Sequence, residues 1–286
     1  MAYETASTEL SSICRTQVTM KAVIIAAGKG SRLGAFTQNL PKCLAVVADG
    51  ESLFERQLEA FRQCGISDFV VIRGYQGHQF THPDIRYYWN YDFESGNILD
   101  SLMCAEGELD GDVLVSYSDI WFEPSVPKVL LQSKADIVLA VDIDWKKHYE
   151  NRELHPVTEA EAVLFDGERK VLKIGKIAIS EPAVQGEFIG MMKMSKRGSE
   201  IFRQYHEKAK KRFDGRPFQR ASLFKRAYLT DMLQYLTESG VPVYCEAIQG
   251  GWHEIDTPED LKNWLKIIKK AKVIMESRGV EREENL

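Results

Sequence analysis

The segment best equipped for chemistry is a loop that combines closely spaced glycines with two cations, Ala26-Ala27-Gly28-Lys29-Gly30-Ser31-Arg32-Leu33-Gly34. Glycines let backbone N–H groups approach phosphate oxygens, and Lys29 and Arg32 add positive charge, so the loop reads as a polyphosphate cradle. It is not a Walker loop, because no Gly-Lys-Ser/Thr follows at the required spacing. A dinucleotide-binding turn would open a helix at once and place an acidic residue at the end of the second strand. Here the loop runs on through Asn39-Leu40-Pro41-Lys42, and the next strand ends in Arg73-Gly74. His78 and His82 have the i, i+4 spacing of a zinc pair, but Pro83 disfavours a continuing helix and no third ligand is evident, so they are expected in a loop. Tyr87-Tyr88-Trp89 is expected to pack on a sheet.

Such a loop needs a strand behind it. Residues 22–27 form a continuous apolar run of strand length, the pattern of a strand covered on both faces in a parallel sheet. Ser52 and Glu55 form a capping box ahead of Leu53, Phe54, Leu58 and Phe61 on one face, which predicts a helix from Leu53 to Cys64 closed by Gly65. Buried-strand patterns recur at 69–73, 113–117 and 137–141, with a helix carrying Ile98, Leu99, Leu102 and Met103 between two of them. Further on, strands at 161–165 and 170–174 are joined through the hairpin signal Asp166-Gly167. A strand at 187–194, helices at 200–211 and 222–237, and a late strand at 241–247 follow. Thr257 as N-cap and Pro258 at the first helical position open a last helix.

The 286 residues are 44% hydrophobic and 28% charged, with 20 Gly and 9 Pro, which excludes a disordered or low-complexity chain. Thirty-seven Lys and Arg against 42 Asp and Glu leave a net charge of −5, which argues against nucleic acid as a partner. Five cysteines without a Cys-x-x-Cys pair fit reduced thiols and a cytoplasmic location. No apolar run reaches the roughly eighteen residues of a membrane span. The expected organisation is an extension over 1–19, one α/β domain over 20–276 and a charged tail over 277–286.

Gly28-x-Gly30-Ser31-Arg32-Leu33-Gly34 followed by Leu40-Pro41-Lys42-Cys43-Leu44 resembles the paired signature of the nucleoside-triphosphate transferases, which include the sugar-phosphate nucleotidyltransferases. Over residues 71–75, 91–101, 116–120 and 252–260, and in the middle segment from Asp144-Trp145 to Gly190, it looks like the cytidylyltransferases that act on phosphocholine, phosphonates and similar small acceptors. The resemblance covers the chain from Met20 to the last helix. It implies an α/β, Rossmann-like nucleotidyltransferase fold with a predominantly parallel central mixed sheet and a small antiparallel elaboration. It also implies attack of an acceptor phosphate or phosphonate oxygen on the α-phosphorus of CTP, with pyrophosphate leaving. By this resemblance Arg32 serves the leaving pyrophosphate, and Lys42 serves the α-phosphate and acceptor. Asp119 and Asp256, with Glu254 third, hold Mg²⁺, as suits a hard cation. Ala26, Ala27, Gly28, Lys29, Gly30 and Ser31, with Gly74, Tyr75, Ser95 and Asn97, surround the nucleotide.

Bland readings compete with several of these. Asp often flanks strands and precedes helices, and Lys29 suits a solvated surface. For the acceptor, Trp145 and Tyr149 offer an aromatic wall for a quaternary ammonium, although their spacing equally suits packing. Arg152, Lys173 and Lys176 offer cations for an anionic group, and Glu159, Glu161 and Glu187 offer anions for an amine; Trp145, Lys173, Lys176 and Glu187 are the chosen candidates. Phosphocholine, 2-aminoethylphosphonate, a hydroxyalkylphosphonate and an amino-acid phosphate all remain open as acceptors. So do a sugar-1-phosphate nucleotidyltransferase using UTP or dTTP, a non-catalytic nucleotide-binding subunit and a homo-oligomeric state.

Overall fold

A computed structural model describes residues 20–48, 50–150, 152–176 and 184–266. The expected 1–19 extension, the 277–286 tail, Cys14 and the end of the last helix lie outside the described residues.

The loop-bearing strand β1 (Lys21–Ala26) is fully covered from Ala22 onward, because its two faces feed two different cores. After it come the short pair β2 (Val46–Ala48) and β3 (Glu51–Ser52), then α1 (Leu53–Arg62), β4 (Asp68–Arg73), β5 (Ile85–Trp89) and α2 (Ile98–Met103). Next are β6 (Val113–Tyr117), β7 (Ile120–Phe122), α3 (Ser125–Gln132), β8 (Ile137–Asp142), β9 (Ala162–Phe165), β10 (Val171–Gly175) and β11 (Gly186–Met194). The remainder is α4 (Lys196–Phe213), α5 (Leu229–Glu238), β12 (Tyr244–Ile248), β13 (Trp252–Glu254) and a helix over residues 258–266. No described helix is long and apolar enough to cross a membrane.

Nine strands share one sheet, running β5-β4-β1-β6-β11 and then dividing toward β8-β12 and β9-β10. β5, β4, β1 and β6 are mutually parallel, whereas β11 runs antiparallel to β6, β8 and β9. Alternation does the sorting on β1: Val23 and Ile25 face the core with α2, α4 and α5, and Ala22, Ile24 and Ala26 face the core with α1 and α3. Strand order reverses between β1 and β6, which opens a crevice at their carboxyl ends.

The expected mixed sheet and its antiparallel extension are present, with local differences. Residues 222–228 are not α-helical: α5 starts at Leu229, where the Asp231 carboxylate accepts the Tyr228 N–H and caps the first turn. The late strand begins at Tyr244, because Pro242 has no N–H for a ladder. In the β9–β10 hairpin the left-handed residue is Arg169, φ 64°, rather than Gly167, and the loop spans five residues closed by Asp166 N–H on Lys170 O. Tyr87-Tyr88-Trp89 belongs to the edge strand β5, with the Arg73 guanidinium over the Tyr87 and Trp89 rings. Cys43, Cys64, Cys104 and Cys245 are free thiols.

Candidate active site

The loop after β1 and Lys42, fourteen residues beyond the loop's first glycine, are packed against each other. Gly30 is left-handed, φ +59°, and a Cβ there would lie 2.8 Å from the Lys42 Cβ, so only glycine allows Lys42 to pass beneath the loop. Thr37 fastens the loop by donating to Gly30 O at 2.8 Å. Lys42 then reaches inward, 9% exposed, and donates to Asp119 Oδ2 at 3.0 Å and to Asp256 Oδ1.

Those aspartates are brought together by a two-stranded ribbon. β7 and β13 pair antiparallel with Ile120 opposite Glu254, and Ile255 N–H donates to Asp119 O at 2.8 Å. Asp119 thus ends the turn after β6 directly beside Asp256. From the other side Gln57 of α1 donates to Tyr117 O and Ile120 O, fixing that turn. At Asp256 the chain enters the last helix through a reciprocal cap: Asp260 accepts from Asp256 N–H and Thr257 N–H, and Thr257 Oγ1 accepts from Asp260 N–H.

Charge in this cluster is unbalanced. Arg32, over half exposed, pairs with Asp256 Oδ2. Burial works against the Lys42 ammonium, yet Asp119, Asp256 and Glu254 hold it above its ordinary value. Burial likewise opposes the Asp256 carboxylate, but Lys42 and Arg32 outweigh it and keep the group low. Glu254 goes the other way, pushed well up by burial and by repulsion from Asp256 and Asp119. Asp119 Oδ1 is buried without a hydrogen-bond partner. Three converging carboxylates, one with an orphaned oxygen, fit a divalent cation held by oxygen. His155, 3% exposed, lies at the same point, with Nε2 3.5 Å from Glu254 Oε2 and Nδ1 3.8 Å from Asp256 Oδ2. Burial and the nearby Arg152 lower its imidazole below the ordinary value, against the opposing pull of Asp256 and Asp260.

A cavity of about 390 Å³ spans this cluster. Ala26, Gly28, Gly30, Ser31, Arg32 and Lys42 of the loop region line it, with Asn97 and Asp119 and the acidic pair Glu254 and Asp256. Lys176 and Glu187 also line it, with Tyr117, Glu161 and Tyr228. Lys176 is paired with Glu159. Glu187 is 4% exposed; burial pushes its carboxyl up to about 8, although Tyr149 donates to Oε1, and its Oε2 is buried without a partner. Glu161, half-buried, accepts from Thr230 at 2.7 Å and from Tyr117 at 3.2 Å.

Other candidates stand elsewhere. Trp145 is 2% exposed in a small apolar cluster with Ala160, Ala162 and Val184, so it is a core residue and forms no acceptor wall. Lys173 is exposed on β10, outside the cavity lining. Arg152 is committed to Asp260 at 2.8 Å and Glu254 at 3.6 Å. Ala27, Gly74 and Tyr75 buttress the loop from behind: Tyr75 N–H donates to Ala27 O at 3.0 Å, and a Cβ on Gly74 would lie 2.7 Å from that oxygen. Lys29 faces Glu94 and the Tyr75 ring at the surface, and Ser95 bonds Asp92 O. Sequence reasoning assigns no role to His155. A lone histidine before a proline has no ligand spacing, and only the fold brings it to residues about a hundred positions away.

A phosphate-cradling loop at the switch point, with a lysine bridging two aspartates beneath it, defines a nucleotidyl-transferring enzyme. The chain belongs to the family described as the MobA-like NTP transferase domain, which matches residues 22–241. It is 28% identical over 256 residues to the CTP:phosphoglutamine cytidylyltransferase of Campylobacter jejuni, covering 85% of this chain and 98% of that protein. It is 33% identical over 108 residues to the choline-phosphate cytidylyltransferase of Streptococcus pneumoniae, covering 36% of this chain and 47% of that protein. Among solved structures, the CTP:phosphocholine cytidylyltransferase of S. pneumoniae superposes with a TM-score of 0.66 at 22% identity, over 88% of this chain and all of that one. That likeness is one of fold.

Proposed function

We propose that this protein transfers CMP from CTP to a small phosphonate or phosphomonoester, releasing pyrophosphate. The observation that carries the reading is Lys42, buried under Gly30 and shared by Asp119 and Asp256 at the switch point of the sheet. Full-length similarity to a CTP-dependent enzyme acting on a phosphorylated amino-acid derivative supports the choice of base and acceptor.

In this reading an acceptor oxygen attacks the α-phosphorus in line, and the bond to the β-phosphate bridging oxygen breaks with its electron pair leaving on pyrophosphate. Two anions must meet, so the work is positioning and charge neutralisation. Backbone N–H groups of Gly28, Gly30 and Ser31 hold the β- and γ-phosphates. Arg32, already exposed, turns from Asp256 onto the leaving pyrophosphate. Lys42 stays on the α-phosphate and the incoming oxygen. Ala26 and Asn97 flank the nucleoside. Asp119, Glu254 and Asp256 would hold Mg²⁺, which supplies Lewis-acid stabilisation of the phosphate oxygens when bound. Elsewhere in the cavity lining Lys176 faces the acceptor's anionic part, and the orphaned oxygen of Glu187 calls for an N–H donor such as an ammonium.

Pyrophosphate release should be assayed with four nucleoside triphosphates against phosphocholine, 2-aminoethylphosphonate, a hydroxyalkylphosphonate, an amino-acid phosphate and glucose 1-phosphate. The expected result is release with CTP and an amine-bearing acceptor. Release only with UTP or dTTP and the sugar phosphate would refute it. CTP binding with no release from any combination would favour a binding-only protein.

A further inference from the structure

The metal corner holds a nitrogen that an all-oxygen Mg²⁺ site does not need. One ligand atom each from His155, Glu254 and Asp256 lie within 4.8 Å of one another. His155 is 3% exposed, and its Nδ1 is buried with no hydrogen-bond partner. That nitrogen is 3.8 Å from Asp256 Oδ2 and 3.9 Å from Asp260 Oδ2, too far for hydrogen bonds. Two atoms each about 2.1 Å from one ion lie roughly 3 to 4 Å apart, so these separations suit atoms that share a cation. A buried, unpartnered imidazole nitrogen is costly to keep unless something completes it.

Neighbouring contacts hold the ring in place. Glu153 N–H and Leu154 N–H donate to the Glu259 carboxylate, tying the approach to His155 onto the start of the last helix. Arg152 is spent on Asp260 and Glu254, which keeps the Glu254 carboxylate beside the imidazole. Once Arg32 turns to phosphate, the carboxylates of Asp119, Glu254, Asp256 and Asp260 are set against Lys42 and Arg152 among the described residues, a deficit of two positive charges that one divalent cation fills.

We propose that His155 supplies a nitrogen ligand to the divalent-cation site it shares with Glu254 and Asp256, giving that site a preference for Mn²⁺ or Co²⁺ over Mg²⁺. Imidazole beside carboxylates suits borderline transition ions, whereas Mg²⁺ favours oxygen alone. The inference rests on the transferase reading only in taking this corner as the metal site.

Metal-stripped full-length protein should be titrated with Mn²⁺ by electron paramagnetic resonance, with and without CTP, and competed with Mg²⁺. Spin-echo modulation on the bound Mn²⁺ reports nitrogen ligation without reference to activity. Wild type is expected to show ¹⁴N coupling and a Mn²⁺ to Mg²⁺ affinity ratio at least ten-fold above that of His155→Gln, with the coupling lost in the variant. Absence of Mn²⁺ binding, absence of ¹⁴N coupling in wild type, or an unchanged ratio in a folded His155→Gln would each overturn it. The wild-type spectrum stands even if the variant fails to fold. Pyrophosphate release supported by Mg²⁺, with no nitrogen coupling, would sink this inference and spare the transferase reading; coupling without nucleotidyl transfer would do the reverse.

Discussion

Among the described residues Lys42 has no substitute, because it alone of them touches both aspartates while lying under the loop. Replacing it with Met keeps the volume and removes the charge. Pyrophosphate release by Lys42→Met is expected to fall by about 100-fold or more, while circular dichroism shows a folded protein. Activity within a few-fold of wild type would remove Lys42 from the mechanism. Glu187 makes a prediction in pH. Its carboxyl, pushed up to about 8 by burial, is mostly neutral at pH 6.5, and only the ionised form attracts an ammonium. The KM for an amine-bearing acceptor should therefore fall as pH rises from about 6.5 to 8.5, and Glu187→Gln should flatten that profile; the same slope in both would refute the role. At this scale the sequence is legible where two residues constrain each other. Gly30 and Lys42 carry a joint signal because one must yield space to the other. His155 is illegible because its partners are supplied by another part of the fold, and Trp145 misleads because aromatic spacing does not say which side of a short helical turn faces the core.

Two small elements set the site's geometry. Gly190 of β11 has φ +81°, and a Cβ there would lie 2.3 Å from the Tyr117 ring. Here β11 changes its register against β8, and the ring crosses the bend to reach Glu161. Gly190→Ala is expected to cost about 2–3 kcal/mol in urea unfolding and to reduce turnover by displacing Tyr117. Full stability in the variant would contradict the close packing. Near the β5 edge of the sheet, Glu108 accepts from Lys21 of β1 at 2.6 Å and from Arg86 and Tyr88 of β5 at 2.9 and 2.8 Å. Bonds from Arg86, then Lys21 and Tyr88, outweigh burial and hold its carboxyl low, at about 2. A depressed carboxyl stabilises the fold above its ordinary value near 4.5 and loses that contribution as pH falls toward 2. Glu108→Gln should lower stability by about 3 kcal/mol at pH 7 and lessen the fall in stability below pH 4.5; a wild-type acid profile in the variant would contradict this. Long apolar strands and the Ser52 and Thr257 caps are readable because each is local. The three-residue β2 with the two-residue β3, and the three-residue β7 and β13, carry too few side chains for a period, although the last pair positions Asp119 against Asp256. Residues 222–228 carry a helical pattern that the Asp231 cap overrides.

Across the whole molecule, the parallel order β5-β4-β1-β6 puts two loops on either side of one crevice, and β13 returns from the far end of the chain to close it. Alternating strand and helix patterns foreshadow that order, whereas the division of β11 between two sets of partners does not, since it depends on one left-handed glycine and a register shift. One cavity is lined both by the cations Arg32 and Lys42 and by the buried Glu187 and the half-buried Glu161. A donor triphosphate and an amine-bearing phosphoryl acceptor would therefore meet at Lys42. Phosphorus NMR of the protein with CTP, 2-aminoethylphosphonate or an amino-acid phosphate, and a divalent cation follows that meeting bond by bond. Free pyrophosphate should appear together with a coupled pair of resonances from the α-phosphorus of CMP joined to the acceptor phosphorus. Intact CTP throughout, or CDP and inorganic phosphate in place of that pair, would contradict it.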